Sequence, residues 1–276
     1  MKAPGGNDLL VEARSALLDA LDALRAHRNS VIVIGAQAIY LHTGAAPVAL
    51  AEMTKDSDLV LDVRALADKP LIEEAMRAAG FGLNPKSDQP GAWLSVRGIP
   101  VDLMVPEALA GEPGRRGARI PPHSKKAARR AAGLEAAVID HGLMEVSALA
   151  PDDHRVHRAN VAGPAALLVA KLHKIGERQE TPNRLVDKDA HDIYRLLTAI
   201  PTARLAASIR RLQRDGLASD ATAKAIIFLA ELFAAGPTAN GSAMAGRAEE
   251  GVGEPRTVSA ATAFLAQDLL TELTPT

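Results

Sequence analysis

The sequence predicts an α+β chain with its strands early and its helices late. Two observations predict it. Before residue 160, short apolar and β-branched runs bounded by Gly, Pro or Asn recur. From Pro164 onward, apolar residues return at helical spacing in five successive stretches. At 276 residues the chain is long enough for two modest domains. The expected division is a mixed α/β half over residues 1–160 and a helical half over 161–276.

In chain order, Asn7 or Asp8 caps a helix whose apolar face includes Leu10, Leu17, Leu21 and Leu24. Val31 to Ile34 reads as a fully buried strand. Gly35 permits a tight turn into a helix, Ala36 to His42, which Thr43-Gly44 ends. Ala45 to Met53 reads as a loop, and Asp56 to Asp62 as a strand. Pro70 opens a helix to Ala79 with Gly80 behind it. A hairpin follows, Ala92 to Val96 and Ile99 to Val105, joined by Arg97-Gly98. A second strand pair is expected at Ala136 to Ile139 and Met144 to Ser147. The helices then fall at about 164–178, 185–199, 202–215, 220–235 and 257–272, with a mobile Gly/Ala-rich linker near 236–256.

Composition narrows the function classes. With 32 basic and 33 acidic residues, any grip on nucleic acid must come from a local patch. There is no Cys, which excludes disulfides and thiolate metal sites and fits a reducing compartment. One Trp and two Tyr are too few for a base-stacking platform. No signal peptide or apolar run of membrane-spanning length is visible, so a cytoplasmic location without membrane partners is expected.

The chemistry concentrates in Asp56-Ser57-Asp58. Residues i and i+2 of a strand face the same way, roughly 6–7 Å apart, so both carboxylates are expected side by side. Asp102, within Val101-Asp102-Leu103 on a later strand, supplies a third. Three hard oxygen donors suit Mg²⁺ and the phosphates of a nucleotide. In that reading Asp56, Asp58 and Asp102 are metal ligands, and Asp102 also helps deprotonate the attacking hydroxyl. The plain alternative is that each Asp is a solvated strand end.

These residues resemble the nucleotidyltransferase superfamily, whose signature is an apolar strand, a Gly-Ser or Gly-Gly turn, and Asp-x-Asp. The nearer likeness is to the AbiEii/MenT-type toxin branch of type IV toxin–antitoxin systems. It extends to Lys171-Leu172-His173-Lys174-Ile175-Gly176-Glu177-Arg178 and to Asp187-Lys188-Asp189-Ala190-His191-Asp192-Ile193, and covers roughly residues 30–200. The resemblance implies a nucleotidyltransferase-like mixed sheet followed by a helical domain. It also implies Mg²⁺ as cofactor, an NTP substrate, an RNA acceptor (tRNA above all) and a cognate antitoxin protein. Gly35, Ala36 and Gln37 would form the nucleotide-holding turn. Ala36 lacks the family's hydroxyl, so either Gln37 substitutes for it or the nucleotide is held more weakly.

Lys171, Lys174 and Arg178 share one helical arc, with Leu168, Leu172 and Ile175 on the apolar side. The resemblance makes Lys171 a functional residue and Asp189 the acid that positions it or the nucleotide, with Lys171 and Lys174 reaching the phosphates. Asp192 reads equally as a surface salt-bridge partner. A second basic run, Arg115, Arg116, Arg119, Lys125, Lys126, Arg129 and Arg130, is either a solvated, disordered loop or a patch that tracks an RNA backbone. Two further functions stay open beside the RNA-modifying one. A small-molecule nucleotidyltransferase of the antibiotic-modifying kind would not need that run, and a non-catalytic nucleotide- or RNA-binding protein could keep the same fold.

Overall fold

The computed structural model describes residues 6–44, 55–112 and 116–274. The loop expected at Ala45 to Met53 lies outside the described residues, as does Arg115. The chain separates into two compact units, one of residues 1–38 and 53–162, the other of residues 39–52 and 163–276. No helix among the described residues is long and apolar enough to cross a membrane.

The first unit holds a mixed sheet of eight described strands. These are β1 (Val31–Ile34), β2 (Ser57–Leu61), β3 (Gly82–Leu83), β4 (Ala92–Leu94), β5 (Pro100–Pro106), β6 (Arg129–Ala131), β7 (His141–Ser147) and β8 (Val156–Ala162). The spatial order is β3-β4-β5-β2-β1-β8-β7, with β6 alongside β5. β1 runs antiparallel to β2 and parallel to β8, and β2 runs parallel to β5. The central strands are covered on both faces, so β1 is four buried residues in a row and Leu59, Val60 and Leu61 are all buried. Helix α1 (Gly6–Ala23) lies on the face that Ser57 presents: the Ser57 hydroxyl donates to the carbonyl of Ala13 at 2.9 Å. Leu17 and Leu18 are its fully buried leucines and Leu24, just past its end, is buried too, while Leu10 and Leu21 are only half-buried.

Several elements differ from expectation for physical reasons. The strand expected at Ala136 to Ile139 is a buried 3₁₀ turn, Glu135–Val138, since alanines offer none of the β-branched surface that favours a ladder. β7 pairs instead with β8, whose polar His157, Arg158 and Asn160 dilute the apolar alternation. The described part of the basic run, residues 116–130, lies along the sheet margin. Arg129–Ala131 pairs with β5, Trp93 Nε1 donates to Ala127 at 3.0 Å, and Ala118, Ala127 and Ala128 are buried.

In the second unit, α4 (Pro164–Gly176), α5 (Asp187–Ala199), α6 (Thr202–Gln213), α7 (Ser219–Leu229), α8 (Asn240–Arg247) and α9 (Pro255–Leu273) pack together. A further helix, α2 (Gly35–Thr43), crosses the division between units, and α3 (Ile72–Ala78) belongs to the first. The linker expected near 236–256 contains α8, packed against α5 and α9. Its small residues serve close approach. A Cβ at Gly241 would strike the Phe233 ring, and one at Gly246 would meet Ser259 Oγ. Composition that reads as a linker is here the means of burying a helix.

Candidate active site

β1 ends at Ile34, whose register partner on β2 is Asp58. Gly35 then turns the chain into α2 with φ +67°, a left-handed conformation that disfavours any side chain. A Cβ at Gly35 would fall on the Asp58 carboxylate. The turn therefore needs glycine twice over, for its backbone and for the space Asp58 occupies. We expect Gly35→Ala to cost at least about 1–2 kcal/mol from the left-handed backbone alone. It should also push the Asp58 side chain away from its position. A thermal melt together with a nucleotide-transfer assay checks both; an unchanged melting temperature would refute the backbone argument.

Asp58 pairs in register with Asp102 on the parallel strand β5, so the two carboxylates stand on neighbouring strands and share a face. The row continues. Arg129 on β6 pairs with Met104, two residues beyond Asp102 and on the same face, and its Nη2 reaches back to Asp102 Oδ2 at 2.8 Å. Both side chains are only 22 % and 24 % exposed. Like charges on adjacent strands repel, and the guanidinium offsets that repulsion.

Asp56 differs from expectation. β2 begins at Ser57, so Asp56 is exposed ahead of the ladder and the strand-spacing argument does not fix its direction. Among the described residues, no three His, Cys, Asp or Glu side chains form a group that could hold a metal ion. The expected three-carboxylate cage is thus not assembled. The donor chemistry of Asp58 and Asp102 still fits Mg²⁺, which binds through one or two protein carboxylates and takes the rest of its shell from phosphates and water.

Gln37 also departs from expectation. It is buried, and its Oε1 accepts from Arg14 Nε at 2.8 Å, while Arg14 Nη1 donates to the carbonyl of Ser147 at 2.9 Å. Its carbonyl is therefore committed to packing α1 against α2, while its Nε2, the end that could replace a hydroxyl donor, is buried without a hydrogen-bond partner among the described residues. Arg14, whose pKa burial lowers, carries no sequence signal beyond lying on an apolar helix.

Within the second unit, Lys171 is buried and its Nζ donates to Asp189 Oδ1 at 2.6 Å and Asp192 Oδ2 at 2.7 Å. Lys174 joins Asp189 at 2.9 Å, and Lys188 joins Asp192 at 3.1 Å. Burial alone would lower the Lys171 pKa and raise those of both acids. The opposing charges outweigh it, holding the ammonium above the usual lysine range and both carboxylates below theirs. Lys171 is therefore the centre of a buried ionic cluster, with two of its three donors taken. Asp192 is correspondingly a core residue, not a surface partner. Beside it, His191 Nε2 meets Glu249 Oε1 at 2.6 Å, a buried pair between α5 and the end of α8 that spacing in the sequence could not show.

Of the basic run, Arg129 is held by Asp102. Arg130 is tied to Glu107 and to the carbonyls of Ala110 and Gly111. Arg119 is exposed and paired with Glu112, and Arg116, Lys125 and Lys126 are exposed. Comparison with protein-family models, curated proteins and solved structures gave no match.

Proposed function

We propose that the chain is a Mg²⁺-dependent nucleotidyltransferase that moves NMP from an NTP onto a hydroxyl of RNA, with tRNA the favoured acceptor. The observation that carries this reading is the register pairing of Asp58 with Asp102 beside the glycine turn that opens α2. The first turn of a helix has amides without intrahelical acceptors and a partial positive charge, a natural seat for phosphate. Gly35 and Ala36 supply that turn. Asp58 and Asp102 would hold the metal ion, which when bound would neutralise the triphosphate and polarise the reacting phosphoryl group. The acceptor oxygen attacks the α-phosphorus, the bond to the β-phosphate bridging oxygen breaks, and pyrophosphate leaves. The hydroxyl proton passes to a carboxylate oxygen of Asp102. A toxin role, with a cognate antitoxin as partner, follows only from the resemblance to the AbiEii/MenT-type branch.

The test is incubation of the purified chain with Mg²⁺, total RNA and each α-labelled NTP in turn. Label in a tRNA-sized band supports the reading. Label on small hydroxyl compounds but never on RNA would favour the antibiotic-modifying alternative, which gains from the withdrawal of Arg129 and Arg130 from the open basic run.

Among the described residues, the acceptor patch then consists of Arg116, Arg119, Lys125 and Lys126. Replacing Arg116, Lys125 and Lys126 with Gln should leave the fold intact, since all three are exposed. RNA affinity should drop, and the slope of log affinity against log salt should flatten by roughly two to three units, just under one per lost phosphate contact. An unaltered slope would return these residues to a solvated margin.

A further inference from the structure

Arg129 stands in the same row as the two aspartates, and neither the metal reading nor the basic-run reading accounts for its position there. Its backbone is fixed by the β5–β6 ladder, Met104 to Arg129, Val105 to Arg130 and Pro106 to Ala131. Gly91 packs closely behind that ladder: a Cβ at Gly91, itself at φ +74°, would meet Leu103 O and Arg129 N. The guanidinium is therefore delivered to Asp102 by sheet backbone, not by a loose surface loop. A hard divalent cation and a guanidinium draw on the same carboxylate oxygens, and each repels the other.

We propose that Arg129 is a built-in competitor for Asp102, so that capture of a divalent cation there is favoured by an anion that draws the guanidinium away. The phosphates of a nucleotide are such an anion, because a guanidinium pairs with phosphate as well as with carboxylate. Metal and nucleotide would then favour each other's entry, and the metal alone would bind less tightly. The inference rests on the nucleotidyltransferase reading of Asp58 and Asp102 and adds a control on that site.

Mn²⁺ titration followed by electron paramagnetic resonance, without nucleotide, tests it on the full chain. Arg129→Gln should bind Mn²⁺ about fivefold more tightly than the wild type, the scale of one part-exposed ion pair. Arg129→Lys, which keeps the charge, should stay close to the wild type. In an Asp102→Asn background the Arg129→Gln gain should vanish. Equal Mn²⁺ affinity in wild type and Arg129→Gln, with both weakened by Asp58→Asn, would overturn the competition and leave the metal site standing. If no variant binds Mn²⁺ and Asp58→Asn changes nothing, the site reading itself falls, and the competition with it. Far-ultraviolet circular dichroism melts establish that each variant is folded.

Discussion

Asp58→Asn should abolish nucleotidyl transfer, by at least about a hundredfold, while leaving the chain folded. The substitution keeps the shape of the side chain above Gly35 and opposite Asp102 and removes only its charge. Asp58 is only half-buried, so the cost to stability should be small. Asp56→Asn, by contrast, should be the milder change, because Asp56 lies outside the β2 ladder and is exposed. Transfer rates and melting temperatures of the two purified variants check this ordering. Equal and complete loss in both would show that Asp56 is an equal ligand after all.

Lys171→Met should act on the fold of the helical unit before it acts on any ligand. Removing one partner of a buried ionic cluster leaves carboxylates without full compensation, which typically costs about 3–5 kcal/mol. Lys174 still serves Asp189 and Lys188 still serves Asp192, so the lower end of that range is expected, about 3 kcal/mol. Lys171→Glu should be worse, since it buries a third carboxylate beside the other two. The same cluster sets a pH dependence. Asp189 and Asp192 have depressed pKa values, so their contribution is complete at neutral pH and is lost as pH falls below about 4, the ordinary carboxylate value. Lys171 is raised, so its contribution is complete below about 10.4 and is lost as pH climbs beyond. Chemical denaturation across that range should show a plateau falling on both sides, with a shallower acid limb in Lys171→Met. A Lys171→Met protein as stable as the wild type would contradict the cluster's structural role.

What could be read from the sequence was what depends on neighbours in the chain. β1, the Gly35 turn and the Asp58 strand follow from a short apolar run, one glycine and an alternating pattern. The β4–β5 hairpin follows from Arg97-Gly98, and Gly98 indeed takes a positive φ of 77°. What could not be read depends on partners far away. β8 is a strand because β1 and β7 flank it, not because Val156 to Ala162 looks like one. Arg129 belongs to Asp102, twenty-seven residues earlier, and nothing in a basic run announces which of its members will be delivered inward. Lys171 stands out through the resemblance, but its burial does not, because an ammonium on a helical arc shared with Lys174 and Arg178 reads as a surface residue until its carboxylate partners are placed. The small residues of α8 misled in the same way, since glycine and alanine serve both loose linkers and tightly packed helices.

On the proposed function, Asp58 and Asp102 support transfer of a nucleotidyl group. Paired reactions with α-labelled and γ-labelled NTP, run with Mg²⁺ and RNA, test it most directly. The predicted result is α label retained on the acceptor, γ label released in pyrophosphate, and neither event with Asp58→Asn. Gamma label on the acceptor would make the chemistry phosphoryl transfer instead. Equal product from wild type and Asp58→Asn would contradict the assignment of the site.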